Sequence, residues 1–296
     1  MNHRKLTGFK SLYAHLFYPF MLSGSMYLCW WLLSKSFSPF SSMIIPLLLC
    51  NALIWTSEFY LPFNLKWRPS RKILGIDITH ALMTSLFVTP IIKALLLATL
   101  VKFNLASSGI GLWPHSWPII IQLVVAILIA DLLIYILHRI MHATSLGWKI
   151  HVVHHSTEKM NFWASSRTHP INSLIVYATE VGVLLLLGIN ADILALWTIF
   201  MSVNGFLSHC NIDLRLGIFN RIFSTADVHR VHHSPNWAYS NSNFGNTTCI
   251  WDQILGTYQL PLEPIREQGI QMHKIPENYL DHIKAPFILD KYKKTS

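Results

Sequence analysis

Long apolar runs constrain this chain more than any other feature. They cover about residues 12–33, 43–61, 78–100 and 117–137, and a fifth run at 174–207 is broken near Gly188, Ile189, Asn190 and Ala191. A helix needs roughly 20 apolar residues to cross a bilayer, so the first four fit single crossings and the fifth fits two short helices. Of the 296 residues, 52% are hydrophobic and only 12% charged. A soluble domain carries about a quarter charged residues, so the balance points to a membrane protein. The first run is not followed by a small-residue cleavage pattern and is read as a helix of the protein, not a leader.

The formal charge of +9 is spread over loops and forms no dense run, which argues against nucleic acid. Arg4, Lys5 and Lys10 precede the first run, and Lys66, Arg68, Arg71 and Lys72 separate the second from the third. Arg139, Lys149, Lys159 and Arg167 follow the fourth, whereas the two intervening loops hold only Lys35 and Lys102. Because positive residues favour the cytoplasmic side, both termini and all the later loops are expected in the cytoplasm. Lys93, close to Pro90, lies inside the third run and predicts a kinked or shallow helix there. Cys29, Cys50, Cys210 and Cys249 lie far apart, with no CxxC pair and no disulfide, zinc-ribbon or iron–sulfur spacing.

Sixteen histidines are present, and their spacing says more than their number. His138 and His142 form an HxxxH. His151, His154 and His155 form an HxxHH, and His229, His232 and His233 form a second. Positions i, i+3 and i+4 share one helix face, so each cluster can aim two or three imidazoles at one point. The expected topology brings 138–170 and 208–258 to one membrane face. Eight imidazoles exceed the four of a tetrahedral site, so two metal ions are the natural count. His169 and His209, at the two mouths of the 174–207 helix pair, are candidates to complete the ligand set. His3, His15, His80, His115, His273 and His282 lack paired spacing and are expected at the surface or at interfaces. Asp77, one helical turn before His80, is a candidate to orient it.

Absences narrow the chemistry. No ExxH occurs, which disfavours a carboxylate-bridged bundle site, and no HExxH supports a zincin protease. Asp131 lies two turns before His138 on the same face, with Tyr135 between them. A carboxylate inside a membrane helix is costly, so Asp131 is expected to face inward, either orienting a ligand histidine or making a helix contact. On residues alone, a lipid-oxidising enzyme, a membrane metal-dependent hydrolase and a histidine relay for transport all remain. The clustering of the histidines beyond the helix ends counts against the relay.

The three boxes, HRIMH, HVVHH with Ser156 and HRVHH with Ser234, resemble the fatty acid hydroxylase / sterol desaturase superfamily. Arg167-Thr168-His169-Pro170 is similar to that family's R-x-H-P. Asn243-Phe244-Gly245 and Trp251 to Tyr258 are similar to its closing NFG…WDxxFGTY, with Leu255 where Phe is usual. The resemblance covers about residues 120–260. It implies a non-haem di-iron centre that uses O2 to hydroxylate or desaturate a lipid. The implied catalytic ligands are His138, His142, His151, His154, His155, His229, His232 and His233. Without a dinucleotide fingerprint, ferredoxin cysteines or a fused cytochrome b5-like segment, it also implies an external electron donor: a ferredoxin, a cytochrome b5-type protein or a reductase. The expected fold is all-α, a multi-pass membrane helical bundle of about four transmembrane helices plus a short helical hairpin, with a cytoplasmic His-rich helical cap. N-terminal membrane helices (1–116), a catalytic domain (117–260) and a polar C-terminal tail (261–296) are expected.

Overall fold

The computed structural model describes residues 5–103, 105 and 109–294; His3 and Arg4 lie outside them. Twelve α-helices are described, with short 3-10 turns and three isolated bridges between them, and no strand appears among these residues. Helix α1 spans Gly8–Ser34, α2 Pro39–Tyr60, α3 Arg71–Met83, α4 Thr89–Lys102, α5 Ile119–Ala143 and α6 Ser145–His155. Then follow α7 (Pro170–Leu187), α8 (Ala191–His209), α9 (Ala226–His232), α10 (Trp237–Ser240), α11 (Ile250–Ile254) and α12 (Tyr279–Ile288).

Six helical segments are long and apolar enough to cross a bilayer: α1, α2, the continuous Arg71–Lys102, α5, α7 and α8. Phe20, Leu48, Leu86 and Leu97 on these segments are all more than half exposed. Such surfaces suit hydrocarbon, where helices satisfy every backbone group internally. The chain is a membrane protein with an all-helical bundle.

Sequence punctuation explains the breaks. Pro90 has no N–H for the turn before it, and the helix widens into a π-helical turn at Thr84–Val88 before α4 resumes. Gly188 adopts φ 93°, a left-handed conformation that terminates α7, and Asn190 caps α8 by accepting from the Ile193 N–H at 2.9 Å. Helices α1, α2 and α8 pack on one another, and α5 packs against α6, α7 and α8.

The end of the chain departs from the expected polar tail. Helix α12 packs against α6 and α3, and Ile275, Ala285 and Leu289 bury against Val152 and Val153 of α6. The tail is thus a brace behind the helix that carries HVVHH.

Candidate metal centre

Two short helices, α6 and α9, and the ends of two membrane helices, α5 and α8, bring the histidines together. HRIMH ends α5. Thr144 then caps α6 by accepting from the Gly147 N–H at 3.1 Å, and the turn is so tight that a Cβ on Gly147 would lie 2.5 Å from the Met141 backbone. That turn sets HVVHH directly beside HRIMH. HRVHH forms α9, which packs against α8. Arg230, in the middle of that box, locks it: its Nη2 donates to the carbonyls of Cys210 (2.7 Å) and Ile212 (3.0 Å), just past the end of α8. Its guanidinium also lies 3.8 Å from the Phe63 ring centroid.

Two groups result. One joins His138, His142, His151, His155 and His232; the other joins His154, His209, His229 and His233. Within each group the candidate ligand atoms lie within 4.8 Å of one another. All eight box histidines are in these groups, with His209 added. The groups abut, since the rings of His155 and His233 stack at 4.5 Å.

The hydrogen bonds on the outer ring nitrogens fix the tautomers. His138 Nδ1 donates to the Phe244 carbonyl (2.8 Å), His232 Nδ1 to the Ser242 carbonyl (2.8 Å), and His209 Nδ1 to the Gly205 carbonyl (2.9 Å). His151 Nδ1 donates to Asn172 Oδ1 at 3.0 Å. Each of these imidazoles is therefore left with a lone pair on Nε2. Yet Nε2 of His138 and Nε2 of His151 face each other at 2.9 Å. Two lone pairs at that distance repel unless a cation lies between them. His232 Nε2 is buried without any partner.

The second group makes the same point by counting. Its Nε2 atoms form a closed ring of contacts: His154 to His209 (3.3 Å), His209 to His229 (3.1 Å), His229 to His233 (3.0 Å) and His233 to His154 (3.1 Å). Four hydrogen bonds around this ring would require each nitrogen both to donate and to accept, which a neutral imidazole nitrogen cannot do. Metal–imidazole bonds of about 2.1 Å at right angles would instead hold the nitrogens about 3.0 Å apart. The residues fit a metal in each group.

Burial, followed by the neighbouring imidazoles, pushes His154, His155, His229 and His233 well below the usual histidine range; burial likewise depresses His232, and takes His151 down to about 3. Burial thus favours the neutral form, which is the one that ligates.

Other expectations meet a different arrangement. His169 lies outside both groups: its Nδ1 accepts from the Ile171 N–H (3.1 Å) to cap α7, and its Nε2 donates to the Ile283 carbonyl (3.1 Å). Asp131 touches no histidine. Its carboxylate accepts from the backbone and side chain of Thr247 (2.9 Å each) and of Thr248 (3.2 and 2.5 Å). Asp77 pairs with Arg167 at 2.7 Å rather than with His80. His80 and His282 are buried at the interface of α3 and α12, where they bond to each other at 2.9 Å. His15 and His115 are exposed and His273 half-buried.

A cavity of about 260 Å³ reaches both groups. His138, His151, His154, His209 and His229 form its floor, and Ile134, Val176 and Phe206 come from three membrane helices in its wall. Metal ions held by neutral imidazoles beside an apolar cavity suit oxidation of an unactivated hydrocarbon, with water restricted.

Comparison with known proteins agrees. The chain is similar to an ornithine lipid hydroxylase of Rhizobium tropici, 28% identical over 289 residues and 86% of each chain. It is also similar to human alkylglycerol monooxygenase, 30% identical over 153 residues, which are 51% of this chain but 32% of that protein. Methylsterol monooxygenase 1 of Rattus norvegicus is 28% identical over 138 residues, 45% of this chain and 46% of its own. No solved structure matches. The profile of the fatty acid hydroxylase family matches residues 123–257, so the chain carries a fatty acid hydroxylase domain over the stretch that holds all the clustered histidines.

Proposed function

We propose that this chain is a membrane-bound, O2-dependent di-iron lipid hydroxylase that converts a C–H bond of a sterol, fatty acyl or other lipid to C–OH. The observation that carries the reading is the pair of imidazoles His138 and His151, held at their outer nitrogens by the Phe244 carbonyl and the Asn172 side chain, whose Nε2 atoms meet at 2.9 Å beside the cavity. Imidazole suits iron, and the similarity to lipid hydroxylases and monooxygenases favours iron with O2 over a hydrolytic zinc. When bound, the two irons supply O2 activation. His138, His142, His151, His155 and His232 hold one, and His154, His209, His229 and His233 the other.

The reaction consumes the lipid, O2, two electrons and two protons, and yields the hydroxylated lipid and water. The electrons come from a separate donor, a ferredoxin, a cytochrome b5-type protein or a reductase. The lipid enters sideways from the bilayer between α5, α7 and α8. The termini and the histidine clusters face the cytoplasm, in keeping with the Lys/Arg distribution.

The test is lipid mass spectrometry of cells with and without the gene, paired with metal analysis of the purified protein. Gain of one oxygen atom by a lipid, with about two irons per chain, supports the proposal. Loss of two hydrogens assigns desaturation instead. Absence of any lipid change together with a single zinc would overturn it.

A further inference from the structure

The histidine groups also approach the protein surface away from the lipid cavity. A hollow of about 230 Å³ lies there, lined by Trp148, Trp237, Met272 and the buried His155. It shares no lining residue with the lipid cavity, and none of its lining residues belongs to a membrane-length segment. Trp237, the first residue of α10, and Met272 are each more than half exposed. Trp148, on α6, is half-buried. Its ring meets Trp237 edge-on at 5.5 Å between centroids, and it meets His142 at 5.3 Å and His155 at 5.4 Å. Two ring contacts therefore join an exposed tryptophan to two imidazoles of the first histidine group. His155 in turn stacks on His233 at 4.5 Å, so the same line of rings reaches the second group.

Electron transfer between protein groups falls steeply with distance, and π-systems in contact shorten the gap to be crossed. The lipid cavity is walled by membrane helices, which a soluble carrier cannot approach. The Trp237 face has no such cover. Its charges favour an acidic partner. Lys149 follows Trp148 on α6, and Lys274, Lys293 and Lys294 are exposed beside the Met272–His273 edge. The Lys294 N–H donates to the Met272 carbonyl at 3.0 Å, the Lys274 N–H donates to the Tyr292 carbonyl at 2.8 Å, and Lys293 bridges to His273. Asp290 offsets one of these lysines, meeting Lys293 at 2.8 Å. Glu158 and Glu267 line an adjoining hollow. An acidic protein is drawn to the lysines and held off the two glutamates, which fixes its orientation over Trp237.

Resting on the di-iron hydroxylase reading, we propose that Trp237 and Trp148 conduct electrons into the metal centre from an acidic one-electron carrier protein that docks over Trp237. Each of two carriers gives up one electron and is oxidised, and the two electrons reduce two ferric ions to ferrous. The tryptophans bridge the gap and are themselves neither oxidised nor protonated. Lipid and electrons thus arrive through separate openings, so neither displaces the other.

In the experiment the full chain, iron-loaded in nanodiscs of neutral lipid, is mixed with a reduced ferredoxin of net negative charge. Carrier binding and the loss of the ferric spectrum are measured separately. Binding should weaken with salt, and Lys274→Glu combined with Lys294→Glu should slow association roughly 10-fold at low salt. Trp148→Leu should leave the carrier's affinity unchanged but slow reduction within the complex several-fold, and Trp148→Phe, which keeps a ring, should recover most of the rate. Trp237→Leu should weaken binding and slow reduction together. Trp148 touches two candidate ligands, so iron content is measured in each variant; Trp237, one ring further out, carries the test if Trp148→Leu sheds iron. A native reduction rate in Trp237→Leu overturns the proposal, as does carrier binding indifferent to salt. Effects of the lysine and Trp237 variants confined to attachment to anionic lipid also overturn it, and assign this face to the membrane surface. Failure of the hydroxylase reading looks different: the purified chain then holds no reducible iron, there is no ferric spectrum to lose, and the proposal falls with it.

Discussion

Asp252 and His138 are joined through one backbone residue. The Asp252 carboxylate accepts the N–H of Phe244 at 2.8 Å, and the carbonyl of the same Phe244 accepts the Nδ1–H of His138 at 2.8 Å. Asp252 also takes the Gly245 N–H (2.8 Å) and the Thr257 hydroxyl (2.7 Å). The turn is tight enough that a Cβ on Gly245 would lie 2.0 Å from the Thr248 carbonyl oxygen. The Asn243-Phe244-Gly245 and Trp251 to Tyr258 motifs are therefore one device that holds the carbonyl orienting a candidate ligand.

Asp252→Asn should weaken metal retention without emptying the membrane of protein. The variant keeps the size of the side chain but loses an acceptor for one of the two backbone N–H groups. Partners that orient metal-bound histidines are worth about 10–100-fold in affinity or activity, and Asp252 acts one residue further out, so roughly 10-fold is expected. Chelator competition on purified protein measures it. Unchanged metal affinity would show that the loop holds Phe244 in place without Asp252.

His209 and His169 should separate cleanly. His209→Ala removes one of four imidazoles from its group and should lower iron from about two per chain toward one. His169→Ala removes a helix cap and a contact with the tail, costing about 1 kcal/mol of stability while leaving iron content intact. Metal analysis and thermal melting of both variants decide this. Equal iron loss in the two would mean that His169 belongs to the metal centre in a state this arrangement does not capture.

The contrast between these two residues shows where the sequence stopped being informative. The box histidines were legible because i, i+3 and i+4 fall on one helix face whatever the tertiary fold. His209 and His169 look alike in sequence, one at each mouth of the same helix pair. Only the fold turns the last turn of α8 toward α9, and only the tail carbonyl of Ile283 draws His169 away. Asp131 was legible as an inward-facing carboxylate but its partners were not, because Thr247 and Thr248 are more than 100 residues distant. The tail read as polar since Ile275, Ala285 and Leu289 are too sparse to show a period, and their partners lie on α6.

Arg167→Met should destabilise the protein severely. Arg167 is fully buried, pairs with the equally buried Asp77 at 2.7 Å, and reaches Glu277 of the tail at 3.0 Å. Removing one partner of a buried pair strands the other charge, at a typical cost of about 3–5 kcal/mol. The double variant Arg167→Met with Asp77→Leu should recover part of that loss, since neither charge is then left alone. Melting temperatures in one detergent give the cycle. A single variant as stable as the native chain would mean that this ion pair does not tie the tail to α3.

Metal removal should loosen the whole polar face and not merely silence the enzyme. Nine imidazoles, five in one group and four in the other, converge from α5, α6, α8 and α9. Without cations, the His138 and His151 lone pairs oppose each other and the four-nitrogen ring has too few hydrogens for its contacts. A ligand that binds only the folded state stabilises it by mass action, by about 4 kcal/mol at a thousandfold excess over its dissociation constant. Stripping the protein with a strong chelator should therefore lower its melting temperature, and iron should restore it. Hydrogen exchange should rise in α6 and α9, while α1 and α2, which carry none of these histidines, stay protected. His154→Ala and His232→Ala should each reproduce part of the effect in the presence of iron, one from each group. His115→Ala, at an exposed site outside both groups, should not. If chelation left the melting temperature and the exchange of α6 and α9 unchanged, the histidine groups would have to be stable without cations, and the case for two bound metals would fail.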